Sequence, residues 1–328
     1  MKLSVVIPVY NGADFIQKSY QMILSQNIDS FEIIYVDNNS TDHTLKNINR
    51  LAASDPRVKT LIQEKSGAAA ARNMGILNAL GDYVYVFDVD DEIYPNALLK
   101  MINVLDDNLT VDAVFGRMVK SSKGISETLK PEGETFEVII KDTPFWGLTW
   151  FRDLRQVVGP PAFLYRKTVF EFIGMYNESI KNNEDTAFDI KLGMTKKIAF
   201  IDMFVYLYFK HENSTIEISK KKMSRAFMVW PRLVHEHLPF YLNHKTPDQF
   251  RVLLFKQLYR SMGRQLKSTK DISNRIALKK QLFHDVSSIK IPFIIRIYLS
   301  ILITLPFNIL LKIYVYYIVP YVVKKSQL

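Results

Sequence analysis

The chain has no cysteine in its 328 residues, which excludes a disulfide framework, a thiol nucleophile and any thiolate metal site. Its 6 histidines are scattered, and no H-E-x-x-H or histidine cluster of the zinc kind occurs. Oxygen-ligated Mg2+ or Mn2+ is therefore the expected metal chemistry. Long uncharged apolar runs are missing too. The most apolar tract, 291–323, is interrupted by Arg296, Pro306, Lys312 and Pro320. Its longest uncharged run, Ile297–Leu311, falls short of the roughly 20 residues that a spanning helix needs. Met1–Tyr10 carries one lysine and an apolar run broken by Pro8, unlike a secretory signal, so the chain is expected to start in the cytoplasm. Internal repeats and low-complexity linkers are absent.

What is present is a folded composition, 48% hydrophobic and 23% charged, in a chain long enough for one large domain and an extension. The net charge of +10 is unevenly spread. Residues 219–328 hold 20 Lys and Arg against 4 Asp and Glu, whereas residues 1–218 hold 23 against 29. A nucleic-acid binder places its basic surface on the domain that carries its reading elements. Here the cations lie beside the most apolar tract, which implies a membrane surface as partner and no nucleic acid.

Residues 3–87 alternate between strand and helix patterns. Strands are expected at Leu3–Val9, closed by Pro8 and the turn Asn11-Gly12, then at Phe31–Asp37, Val58–Ile62 and from Tyr83. Helices are expected through Phe15–Leu24, Leu45–Leu51 and Ala68–Leu80. Short loops between them indicate a parallel sheet with helices on both faces. Beyond lie a helix at 95–108, a strand at Val111–Val119, a polar excursion at 120–142 containing a strand at Val138–Ile140, helices at Lys167–Ile173 and Thr186–Met194, and a strand at Ala199–Phe209.

The fourth strand runs into Asp88-Val89-Asp90-Asp91-Glu92. Strand alternation puts Asp88 and Asp90 on one side. Such a pair reads either as a solvated acidic turn or as a seat for a divalent cation with a phosphate on its far side. Pro8–Asn11, Asp37, Arg72 and Asp88–Asp91 each end a strand or open the next helix, so all fall on the edge where open α/β sheets bind ligands.

Taken in order, P-V-Y-N at 8–11, V-D-N-N-S-T-D at 36–42, G-A-A-A-A-R-N-M-G at 67–75 and G-D-Y-V-Y-V-F-D-V-D-D at 81–91 resemble the family 2 glycosyltransferases of the GT-A fold. G-M-Y-N-E at 174–178, Glu184-Asp185 and His211-Glu212-Asn213 extend the resemblance over about residues 3–215. It implies an α/β fold of GT-A type, a mostly parallel sheet flanked by helices. It also implies an inverting enzyme that moves one sugar from a nucleotide-diphosphate sugar, most often a UDP-sugar, to a lipid-linked or cell-surface glycan acceptor. By that resemblance Asp37 bonds the base; Pro8, Tyr10, Asn11 and Asn39 line the base and ribose; and Arg72 holds the nucleotide. Asp88, with Val89, reaches the ribose or the waters of the metal. Asp90 binds Mn2+ or Mg2+ directly, and His211 closes over the diphosphate as a further ligand. Asp185 is the expected base. Glu184, Trp146 and Trp150 are expected near the acceptor, although aromatic residues more often belong to a core.

Three departures limit the resemblance. Asn38-Asn39 replaces the commoner Asp-Gly, which leaves the base and sugar preference open, and Lys65 stands where Asn is frequent. Gln257–Ser261 resembles the Q-x-x-R-W signature of processive synthases but ends in serine, which implies addition of a single sugar. Two other readings stand beside this one. A sugar nucleotidyltransferase needs a glycine-rich basic loop after the first strand, which Pro8–Gly12 does not offer. A silent membrane-bound nucleotide-sugar scaffold conflicts with the intact D-x-D and Glu-Asp pairs.

The expected organisation is a catalytic domain at 1–218, basic amphipathic helices at 219–290 and an apolar membrane-associating segment at 291–328. That segment reads as a helix-Pro-helix in the membrane interface, because tyrosines and Lys324-Lys325 favour the headgroup layer. A buried helical hairpin is the other reading. In the first case the protein sits on the cytoplasmic face of the membrane, peripheral or monotopic; an oligomer is compatible with either.

Overall fold

Runs of β-branched and aromatic residues build the first four strands, β1 (Leu3–Val9), β2 (Phe31–Asp37), β3 (Val58–Ile62) and β4 (Tyr83–Val86). Val5, Val6, Ile33, Ile34, Tyr85 and Val86 are all 0% exposed, as strands covered on both faces require. A computed structural model describes residues 2–180, 182–211 and 229–325. The chain divides into two units, Met1–Ile218 and Ser219–Leu328.

In the first unit, β1 pairs in parallel with β2 and β4, and β2 with β3. The sheet continues through β8 (Phe163–Arg166), β6 (Ala113–Ser121), β9 (Ile198–Phe209) and the short β5 (Glu92–Ile93), while β7 (Val138–Lys141) pairs with β9. β8 lies antiparallel between β4 and β6, so the sheet is mixed beyond its parallel half. The connecting helices are α1 (Ile16–Leu24), α2 (Thr44–Ser54), α3 (Ala68–Leu77), α4 (Ala97–Asp107), α5 (Phe145–Arg152), α6 (Thr168–Ile173) and α7 (Glu184–Thr195).

One expectation holds and one changes. β1 spans the expected Leu3–Val9, running through Pro8 and pairing it with Val36. The ring removes one donor only, and Val9 O still accepts Asn38 N at 2.8 Å. β4 instead ends at Val86, and Asp91 N bonds Asp88 O at 3.1 Å, so Asp88–Asp91 is a turn. Strand alternation therefore does not set the directions of Asp88 and Asp90.

Helix α3 is held unusually close to the sheet. A Cβ at Gly75 would stand 2.3 Å from Val6 Cγ1 and 3.2 Å from Val36 Cγ2, so only glycine allows this approach. That approach brings Arg72 and Asn73 to the carboxyl edge of β1 and β4.

The second unit is helical: α8 (Val229–Asn243), α9 (Asp248–Ser268), α10 (Ile272–Asp285), α11 (Phe293–Thr304), α12 (Asn308–Ile313), a π turn (Tyr314–Ile318) and α13 (Val319–Lys325). Leu254, Leu258 and Met262 of α9 are buried together with Ile295, Leu299 and Leu302 of α11 and Tyr314, Val319 and Val323 beyond it. The basic helices and the apolar tract thus share one core. Arg275 fastens it, donating to the carbonyls of Thr269 at 2.8 Å and Ile303 at 2.9 Å. Among the described residues, no helix is long and apolar enough to cross a membrane.

Candidate active site

The loops after β1 and β2 are laced together by asparagines. Asn11 (φ 51°) and Asn39 (φ 64°) adopt the left-handed conformation, which asparagine tolerates better than other side chains. Asn11 Oδ1 accepts Thr41 N at 2.8 Å, and Asn11 N donates to Ser40 Oγ at 3.0 Å. Asn38, buried, donates to the carbonyls of Gln63 and Lys65 at 2.7 and 2.8 Å and accepts Gly67 N at 2.7 Å. Asn39 donates to Glu64 O at 2.7 Å. Asp37 ends β2 at 3% exposure, with Oδ2 near Ser40 N at 3.4 Å. Its Oδ1 is buried without a partner among the described residues, a costly state for a carboxylate oxygen. Tyr10 is 65% exposed on the same rim, and Val89 packs against Gly12 below it.

Arg72 is the centre of the site. Its Nη1 donates to Glu184 Oε1 at 2.7 Å and its Nη2 to Asp88 Oδ1 at 3.0 Å. The guanidinium lies over the Tyr176 ring at 5.6 Å. Burial alone would lower its pKa, but the Asp88 and Glu184 carboxylates hold it well above the ordinary value. One side chain therefore ties the turn after β4 to the first turn of α7, where Asp185 sits half-buried. Asp185 Oδ1 accepts Thr186 N at 2.6 Å. The next residue of α3, Asn73, grips the Tyr176–Glu178 loop through Tyr176 O at 2.9 Å, Tyr176 N at 3.0 Å and Glu178 at 2.9 Å.

At the other end of the turn, His211 Nε2 and Asp90 Oδ2 meet at 2.7 Å, with the imidazole stacked on Phe209 and tilted against Phe15. Burial first, and Asp88 after it, raise the Asp90 pKa against the lowering effect of His211. Asp91 is buried and caps the end of β9, accepting Phe209 N at 2.9 Å; Glu92 enters β5. No group of three or more His, Cys, Asp or Glu side chains among the described residues is arranged around a common metal position. Of the expected set, Asp90 and His211 converge while Asp88 is turned to Arg72. A carboxylate oxygen beside an imidazole nitrogen suits Mn2+ and, less well, Mg2+. With so few protein donors the residues fit a cation shared with a substrate diphosphate. The expected run His211-Glu212-Asn213 continues outside the described residues.

Two acceptor expectations, Trp150 and Glu184, are corrected. Trp150 is 1% exposed, boxed in by Phe115, Trp146 and Phe163 at ring distances of 5.4 to 5.8 Å, so it offers no face to a ligand. Trp146 is only half-buried; it donates Nε1–H to Ile198 O at 3.3 Å and borders the same aromatic cluster. Helix α5 meets α7 near Gly193, where a Cβ would stand 2.4 Å from Gly147 N. That contact lies at the far end of α7 from Asp185. Glu184, at 8% exposure, faces Arg72 and not an acceptor. The sequence pattern assigned no site role to Asn38 or Asn73, both of which position the site. The signal available was their place inside the quoted V-D-N-N and A-R-N-M segments.

A parallel half-sheet with its polar crest on the carboxyl edge, extended by antiparallel strands, places this unit among the GT-A folds. The family model described as Glycosyl transferase family 2 matches residues 4–174, more than half of the chain, and the chain belongs to that family. It is 26% identical over 221 residues to the uncharacterized glycosyltransferase EpsJ of Bacillus subtilis (strain 168), covering 67% of this chain and 64% of that one. The chain thus spans less than two thirds of that relative's length. Among solved structures, S. aureus TarS 1–349 in complex with UDP-GlcNAc matches at TM-score 0.64 and 20% identity, over 99% of this chain and 92% of that one. The mannosyltransferase PcManGT from Pyrobaculum calidifontis, in complex with GDP-Man and Mn2+, matches at TM-score 0.52 and 16% identity, over 96% and 87%. At these identities the structural likeness establishes the fold.

Proposed function

We propose that this chain transfers one sugar from a UDP-sugar to a lipid-linked or cell-surface glycan acceptor, with inversion, at the cytoplasmic face of a membrane. The observation that carries the reading is the Arg72 bridge at 2.7 and 3.0 Å. It ties the turn that carries Asp88 and Asp90 to the first turn of α7, which carries Asp185. A single displacement needs a base on the acceptor side and stabilisation on the diphosphate side, and it needs no covalent nucleophile. Asp185 takes the proton from the acceptor hydroxyl. The buried, unpaired Oδ1 of Asp37 suits the N–H of a uracil, with Pro8, Tyr10, Asn11 and Asn39 around it. Asp88 reaches the ribose while it accepts from Arg72. Asp90 and His211 would hold Mn2+ or Mg2+, which when bound supplies Lewis-acid stabilisation of the departing diphosphate. The UDP-GlcNAc complex of TarS supports uridine as the base, and the Mn2+ complex of PcManGT supports the cation.

The test is UDP release from a panel of UDP-sugars with Mn2+ and lipid-linked acceptors. Asp185→Asn is expected to abolish transfer and leave UDP affinity intact. Asp90→Ala is expected to weaken Mn2+-dependent UDP binding by about tenfold or more. If the wild-type chain binds UDP but neither transfers nor hydrolyses any donor, the catalytic reading fails.

A further inference from the structure

We infer that the second unit docks on bilayers of anionic phospholipid through a tyrosine stripe on its last helical stretch, with a lipid phosphate seated in a basic cavity at the end of that stripe. The inference extends the membrane-face reading above and stands apart from the transfer chemistry.

The stripe follows from helical geometry. Residues 308–325 run as α12, the π turn and α13 without a break. Ile309, Ile313, Tyr317 and Tyr321 recur every fourth position, beside Lys312, Tyr316, Pro320 and Lys324. Ile309 is 67%, Tyr316 62%, Tyr317 71% and Tyr321 50% exposed. Within the π turn Tyr314 and Val315 are buried while Tyr316 and Tyr317 are exposed. The turn is pinned from α9. Arg260 Nε donates to Val315 O at 3.1 Å, Tyr314 Oη donates to Tyr259 O at 2.8 Å, and a Cβ at Gly263 would stand 2.5 Å from the Tyr314 ring. Phe307, 59% exposed, and Phe293, 75% exposed, add apolar surface at neighbouring turns. An exposed apolar and aromatic face of this kind on a helix too short to span marks an interfacial position.

Charge decides what covers it. A cavity of about 240 Å³ is lined by Asp248, Arg251, Val252, Lys256, Pro320, Val323 and Lys324, so it opens where the stripe ends. Arg251 is paired with Asp248 at 2.6 Å. Lys256 is half-buried, and its pKa is pushed down first by burial and then by Arg260; Arg264 in turn lowers Arg260 after burial. Lys256, Arg260 and Arg264 form a cationic ridge at four-residue spacing, which is repulsive in isolation. An anionic headgroup relieves that repulsion. A second copy of this chain brings the same cations face to face and does not.

The experiment is co-flotation of the full chain with vesicles of phosphatidylcholine alone or mixed with phosphatidylglycerol, at low and high salt. Binding is expected only with phosphatidylglycerol and is expected to weaken with salt. Lys256→Ala and Lys324→Ala should each lower affinity about fivefold. Tyr316→Ser with Tyr317→Ser should lower it roughly tenfold or more, and tryptophan at both positions should preserve or strengthen it. UDP binding, followed by thermal shift on the same samples, should not change. Equal binding to both vesicle types, no binding to either, or a dimer in light scattering that the serine variant disperses would each overturn the inference. UDP release with a soluble acceptor reports separately on the transfer reading.

Discussion

Replacing Arg72 by methionine keeps most of the stem and deletes the cation, which isolates what the bridge contributes. Glu184, at 8% exposure, and Asp88 then lose partners at 2.7 and 3.0 Å. Removing one member of a buried pair costs about 3–5 kcal/mol. The Asp88 side chain is 33% exposed, so water recovers much of its share and Glu184 dominates. Burial and then Asp185 already raise the Glu184 pKa, and Arg72 is what lowers it. Without Arg72 that carboxyl takes a proton more readily. A carboxyl with a raised folded pKa contributes full stability below its unfolded value near about 4.3 and loses it as pH rises toward the folded value. The deficit of Arg72→Met should therefore be small in mild acid and grow toward neutrality. Adding Glu184→Gln removes the stranded charge, so the double variant should lose about 1–3 kcal/mol less than the sum of the singles. Urea denaturation in a Trp230→Phe background reads this out, because Trp146 and Trp150 then report on the first unit alone. Additive losses, or an Arg72→Met deficit that is the same at both pH values, would refute the reasoning.

Two further outcomes follow from buried side chains. Asp189 is 0% exposed, and burial first, with Asp185 second, holds its pKa well above the carboxylate range. Stability is expected to decline as pH rises from about 4, and Asp189→Asn should flatten that slope and stabilise the fold at neutral pH; an unchanged slope in urea titrations at two pH values counts against it. Trp150→Ala should cost about 3–5 kcal/mol by opening the aromatic cluster while leaving the acceptor KM of the folded enzyme unaltered. A raised KM with little loss of stability would return Trp150 to the acceptor site.

Much of the site was legible because its segments end strands or open helices, and those positions carry local signals. Asp37 closes an apolar run, Asn11 and Asn39 sit where turns need left-handed backbone, and Gly67 opens α3. What those residues do to each other was not legible. Glu184 looked like an acceptor contact beside Asp185, yet its partner lies 112 positions away. Asp88 and Asp90 looked like a strand pair, but a single turn bond, Asp91 N to Asp88 O, separates their tasks. Trp150 was indistinguishable from a sugar platform until the fold showed it at 1% exposure, with α5 against α7 at the Gly147–Gly193 contact.

The sequence by itself determined the alternating β and α elements, the polar crest on the carboxyl edge of the parallel strands and the basic character of the second unit. Those properties follow from hydrophobic period, turn residues and charge counts, which act within a few residues. Only the tertiary structure decided that Arg72 joins Asp88 to Glu184, that His211 closes on Asp90, that Trp150 is core, and that Tyr316 and Tyr317 face outward. Exposure and ion pairing are sums over neighbours distant in sequence, and no local pattern encodes them.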